Sequence, residues 1–357
     1  MMKMNKWTMA LAAAGVVSLS SVAQAQEAAA GAEALAASTT LSGYVSSSYT
    51  AADSDGGNIG KTNENADNFK LDVVSLTLAS AQGAGEYATG YTVQLWMGPD
   101  TKSGTTSGAA GGDTFELMQA NIDLRLPFGN GIDLKVGHFG TVVGNEVYDY
   151  NQNAFFQRSL AFGVQPTHHT GILASYQLSD DLAIQLGFVN DTTGTGTNAS
   201  ADDGSSAYIG SLSYTLPDSM GFAGGTSIKW GTVRDAGTED VDNDYFELNL
   251  PTIVEGLSLQ ATADYAEQGE SDDEIYGIHA GYALNDKTTL NLRLEWGSTD
   301  GAYPGTTAFE ELESVAVGLT YDLWENVISR VEYMSTSTDN AATDDDDTFS
   351  VNLVYSF

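Results

Sequence analysis

The 357-residue sequence has no cysteine, six prolines, and only 13 lysines and arginines against 48 aspartates and glutamates. Without cysteine, disulfide frameworks, thiolate metal sites and thiol nucleophiles are all excluded. The formal net charge of −35 excludes nucleic acid as a partner, because phosphate binding rests on lysine and arginine. Spanning a bilayer as a helix takes roughly 20 consecutive apolar residues, and polar residues interrupt every apolar stretch too early for that. In lipid, the backbone has one other way to satisfy its polar groups, which is a closed β-barrel.

One short apolar run, Met9 to Val17, follows Lys3 and Lys6 and precedes Ala23-Gln24-Ala25. A positive start, a brief apolar core and a small-x-small tripeptide make a secretory signal peptide. Residues 1–25 are expected to be cleaved as that leader, which predicts export. Residues 26–40 form an alanine-rich periplasmic lead, and residues 41–357 are expected to form the folded part.

Within 41–357 the chain repeats one rhythm. Segments of nine to twelve residues alternate apolar and polar, separated by Gly, Asp, Asn, Ser and Thr, which is the pattern of half-buried strands. Sixteen such segments can be marked, from 41–49 to 348–357. Tight connections such as Pro127–Gly131, Leu178–Asp181 and Leu284–Lys287 alternate with long polar ones such as 50–68, 98–113, 140–168 and 190–205. Bacterial outer-membrane barrels have this asymmetry, with short periplasmic turns and long external loops. The predicted fold is all-β: a transmembrane antiparallel β-barrel of about 16 strands.

A soluble sandwich alternates too, with its apolar face inside. Three features favour the inverted arrangement. The segments are longer than strands of soluble sheets, roughly five or six residues. Aromatics (Tyr214, Trp230, Tyr245, Tyr265, Tyr282, Trp296, Tyr321 and Tyr333) stand at segment ends, where membrane-interface girdles sit. The final segment places Phe349, Val351, Leu353, Tyr355 and Phe357 on one face and ends on an aromatic, which resembles the targeting strand read by the barrel assembly machinery.

Turning the polar face inward makes Lys70, Asp72, Asp123, Arg125, Asp133, Lys135, Lys229, Glu247, Asp264, Arg293, Glu295, Arg330 and Glu332 the expected pore lining. On the strand 115–126 the apolar set is Met118, Ala120, Ile122, Leu124 and Leu126. A barrel of sixteen strands is wide enough to keep an aqueous channel. The third external loop, 140–168, carries Phe155, Phe156, Arg158 and Phe162. That loop is too apolar to stay in water and is expected to fold into the lumen as a constriction. Wall charges are nearly balanced, so inward ions either stiffen the wall by pairing or sort solutes by their field.

The expected function is passive diffusion of ions and small hydrophilic solutes, with a weak preference for cations. The alternative is a closed-lumen structural or adhesive barrel. No enzyme is expected: His138, His168, His169 and His279 are the only histidines, and Ser159 and Ser175 gain no catalytic meaning from sequence proximity alone. No cofactor or metal site is expected, because the acidic runs (Asp202-Asp203, Asp272 to Glu274, Glu310 to Glu313, Asp344 to Asp347) lack the spacing of a calcium loop. At most they hold divalent cations loosely.

The stretch from Leu124 to Asn190 also resembles the OmpL-like β-barrel porin family (porin-2 type). The likeness rests on Lys135-Val136-Gly137-His138-Phe139-Gly140-Thr141, Gly144-Asn145-Glu146, Asn151 and Asn153 followed by Arg158-Ser159, His169-Thr170-Gly171, and Phe188-Val189-Asn190. The resemblance implies a Gram-negative outer-membrane porin with lipid, ions and small solutes as its partners. Porins of this strand number are often homotrimers, which is the assembly the likeness suggests.

Overall fold

The computed structural model describes residues 38–54, 68–101, 114–193, 206–235, 241–303, 307–339 and 345–357. The predicted leader, most of the alanine-rich lead and the runs Asp202-Asp203 and Asp344 lie outside these residues.

Sixteen strands run in chain order: β1 (Thr39–Ser54), β2 (Asn68–Ser80), β3 (Thr89–Gly98), β4 (Thr114–Leu126), β5 (Ile132–Gly140), β6 (His168–Ser179), β7 (Leu182–Val189) and β8 (Ala207–Thr215). They continue with β9 (Ser227–Asp235), β10 (Asp242–Asn249), β11 (Leu257–Gln268), β12 (Ser271–Asn285), β13 (Thr288–Thr299), β14 (Phe309–Trp324), β15 (Val327–Thr338) and β16 (Asp345–Ser356). Each strand pairs antiparallel with its sequence neighbours, and β1 pairs β16 to close the barrel. At the seam, Gly43 and Phe357 exchange both backbone hydrogen bonds, at 3.0 and 2.9 Å. The Phe357 ring lies over Gly43, where a Cβ would meet it at 2.9 Å. Glycine is required there because the Ser75 carbonyl on β2 would stand 2.1 Å from a Cβ.

The burial pattern is that of a membrane barrel turned inside out. Ile122, Leu186, Val317 and Leu353 are exposed to the surroundings, while Asp72, Asp264, Arg293, Glu295, Arg330 and Glu332 are buried. Phe349, Val351, Leu353, Tyr355 and Phe357 all lie on the exposed face of the seam. Closure leaves no unpaired sheet edge, which is what backbone in lipid requires.

Two expectations change. Gln94 pairs Gln119 while Leu95 pairs Leu117, so Met118 is an extra residue in β4. This bulge swings its side chain from the predicted lipid face to the interior, where it is buried against Trp96 and Tyr44. Tyr245 was expected in the outer girdle but also faces inward. Its hydroxyl donates to Glu247 at 2.6 Å and its ring sits 5.2 Å from the Lys229 ammonium, while Phe246 takes the outer position. The loop alternation also breaks at one place. The external connection between β11 and β12 is only Gly269-Glu270, so these strands pair to their ends.

Candidate functional site: the inner wall and the third loop

The connection between β5 and β6, residues 141–167, folds back onto the inner wall. Its entry is shaped by two close approaches. Gly231 on β9 leaves room for the Val142 carbonyl, and Gly144 takes φ +92°, a conformation that favours glycine, with the Gln165 carboxamide packed over it. Beyond this entry, Val142 and Val143 pack with Phe139, Leu173, Ile209, Val233 and Tyr245.

The loop builds itself around two internal braces. Asn153 donates to the Val147 and Asp149 carbonyls at 2.6 and 3.2 Å and accepts the Val147 N–H at 3.1 Å. Glu146 accepts both the N–H and the hydroxyl of Ser159, at 2.9 and 2.8 Å. Arg158 folds into the loop, donates to the Val147 and Tyr148 carbonyls, and lies over the rings of Phe162, Tyr150 and Tyr148 at 4.7, 4.9 and 5.8 Å. Burial pushes the Tyr148 hydroxyl up to about 12, partly offset by the Arg158 charge.

Wall carboxylates then clamp the loop. Glu332 on β15 accepts the N–H groups of Phe156 and Gln157 at 2.7 and 2.6 Å. Glu295 on β13 accepts those of Leu160 and Ala161 at 3.0 and 3.1 Å. Each carboxylate thus uses both oxygens on two successive amides, a charge-assisted arrangement roughly twice as strong as neutral hydrogen bonds. Between the clamps, Arg293 pairs Glu146 at 2.7 Å and Glu295 at 3.1 Å and donates to the Gln157 and Arg158 carbonyls. Arg330 reaches the Asn153 carbonyl at 2.7 Å. On the far side, Gln94 donates to Asp149 at 2.7 Å, Tyr150 donates to Asp100 at 2.7 Å, and Tyr150 stacks on Trp96.

The remaining predicted lining residues make no hydrogen bond in the two carboxylate clamps. Asp72, an extra residue of β2 opposite Ser46 and Ser47, accepts both Ser46 and Ser48 at 2.6 Å, with Lys70 at 3.7 Å. Lys135 pairs Asp123, and Arg125 pairs Asp133, each at 3.0 Å near the turn after β4. Asp264 is buried at 3% exposure on β11. Of the predicted loop residues, Phe155 packs on Ala316 and Met334, and Phe156 on Tyr150. The sequence expectations omitted Glu146, Asp149 and Tyr150. Glu146 could have been found, since it closes the Gly-Asn-Glu motif.

The histidines and serines are engaged separately. Ser159 bonds Glu146, and Ser175 bonds Gln185 at 3.0 Å. His169 meets Thr141 Oγ1 at 3.1 Å, tying the base of the loop, while His138 stacks on His168 at 5.5 Å.

Residues 38–357 match the model of the family described as "Putative beta-barrel porin-2, OmpL-like". The chain belongs to that family. It is an outer-membrane porin barrel, and the similar solved structures have the same fold. A loop L8 deletion of OmpT from Vibrio cholerae is 13% identical with TM-score 0.60, over 89% of this chain and 99% of that one. An anion-selective porin from Comamonas acidovorans is 13% identical with TM-score 0.60, over 90% and 99%. Salmonella typhi OmpF in complex with daunomycin is 10% identical with TM-score 0.61, over 89% and 97%. At these identities the likeness extends to the fold alone. No curated protein matches the chain.

Proposed function

We propose that this porin is a passive diffusion channel for ions and small hydrophilic solutes, narrowed by loop 141–167 and weakly preferring cations. The clamping of that loop by Glu295 and Glu332 on the inner wall carries the reading. A loop held by two buried carboxylates takes up cross-section without leaving the barrel. Among the charged wall residues, Asp123, Arg125, Asp133 and Lys135 keep exposure and would line the path beside it, while the buried ones hold the loop or the wall. The loop adds Glu146 and Asp149 to the wall acids and only Arg158 to the bases, so the field retains a small acidic excess. Deleting Asn151–Phe162 tests the constriction in planar bilayers: unit conductance and the solute size limit should rise, and unchanged values reject it. A salt-gradient reversal potential favouring anions rejects the cation preference.

One observation favours the closed-lumen reading. The loop buries Phe156, Tyr150 and Phe155 in apolar clusters with wall residues, as a plug would. Steady current separates the two, because a sealed barrel passes none.

Three further assignments accompany the proposal. Residues 1–25 act as a cleaved export leader, the face from Phe349 to Phe357 is read by the assembly machinery, and the working unit is a homotrimer. Divalent cations bind loosely, if at all, at the external acidic loops.

A further inference from the structure

On the side of the loop nearest the turn 250–256 lies a chamber of about 350 Å³ against β10 to β13. This volume is at the lower end of small-ligand pockets, roughly 300–1,000 Å³. Glycine makes the space. The inward face of β12 reads Gly277, His279, Gly281, and a Cβ on Gly281 would stand 2.7 Å from Ser258 Oγ and 3.4 Å from Asn291 Oδ1.

Apart from Glu146 the chamber lining is uncharged, although the chain is strongly acidic: carboxamides, Thr252 and Ser258 share it with Phe155, Leu250 and Leu259. Asn145 of the loop donates to Gln260 at 2.7 Å, and Gln260 donates to Asn249 at 3.0 Å, so a relay of carboxamides forms one wall. Asn291 donates to Thr320 at 3.1 Å, and His279 Nε2 stands 3.5 Å from Thr262. Among the described residues, Asn291 Oδ1 and His279 Nδ1 keep their capacity for a guest. The acid at the rim, Glu146, is already paired with Arg293.

We propose that this chamber is a binding subsite for a small uncharged polyhydroxylated solute, a sugar or polyol. Hydroxyl groups donate and accept at once, and carboxamides offer both partners side by side. A charged solute would leave its own charge uncompensated by this neutral lining, which costs more than it gains. The inference rests on the diffusion-channel reading and adds the class of solute that lingers in the channel.

The test uses the full-length protein, reconstituted for KCl current and in detergent for saturation-transfer NMR, with sucrose as probe and a polyether of similar size as control. Sucrose should lower the KCl current saturably beyond the polyether and give a transfer signal. Asn291→Leu should raise the half-saturation about tenfold, the worth of one lost hydrogen bond. Gly281→Leu, which fills the chamber without removing a polar group, should do likewise. Ser42→Ala, on β1, should leave the half-saturation in place. A sucrose response no more saturable than the polyether's, with no transfer signal, overturns the subsite. If KCl current is absent while the transfer signal persists and is lost in Asn291→Leu, the subsite stands and the open channel falls.

Discussion

The Glu332 carboxylate accepts the Phe156 N–H at 2.7 Å across 176 residues of sequence. One oxygen on β15 thus positions the middle of a loop that leaves the barrel wall ten strands earlier. Glu332→Ala removes this clamp and the one on Gln157, each charge-assisted bond contributing about 1.5–3 kcal/mol. The expected result is a loop that opens to external protease between 150 and 160, and a noisier, larger single-channel current. Unchanged protease protection and current noise would show that Glu295 alone holds the loop.

Arg293 lies between Glu146 and Glu295 with 1% of its side chain exposed. Arg293→Met strands two carboxylates, and breaking a buried pair this way costs about 3–5 kcal/mol. The heat-modifiable gel shift should move to lower temperature. Adding Glu146→Gln should recover part of the loss, because contacting residues are not additive, while Glu295 keeps its clamp on Leu160 and Ala161.

Val317 projects from the outer face of β14 at 43% exposure, while its neighbour Ala316 is buried. Val317→Arg puts a charge into the lipid band at an expected cost of about 2–4 kcal/mol. Chemical unfolding from lipid vesicles measures it. A neutral result would place β14 outside the membrane.

The alternation that makes Val317 lipid-facing was legible because the side-chain period of a strand is two and water-filled and lipid-filled sides demand opposite chemistry. It failed at Met118 and would have failed past Asp72, where an added residue reverses the phase without any change of composition. The path of the third loop was legible only as a tendency, from its phenylalanines. Where it lands depends on Glu295 and Glu332, more than 130 residues away along the chain, and no local pattern marks two acids as partners of amides. Tyr245 was misplaced for a related reason: an aromatic at a strand end suits either face until its hydroxyl finds Glu247.

Tyr148 supplies a pH dependence. Burial raises its hydroxyl to about 12 in the folded protein, above the ordinary value near 10. A raised value means that the neutral form is favoured by folding, so this contribution is complete below pH ~10 and is lost as pH climbs toward 12. Difference absorbance between the parent and Tyr148→Phe should show one phenol ionising late. A component titrating near pH ~10 would place Tyr148 in water.

The Gly43–Phe357 closure joins β1 to β16, which means that the sheet has no part that can be finished early. Thr50 faces Ser350 at the outer end of the same seam, a contact spanning 300 residues. Contacts of such separation make folding slow, since loop entropy is spent before pairing returns it. Until the sixteenth strand arrives, fifteen strands carry two open edges. The chain must be kept from its neighbours throughout that interval, so its survival during biogenesis is a matter of waiting time as well as of final stability.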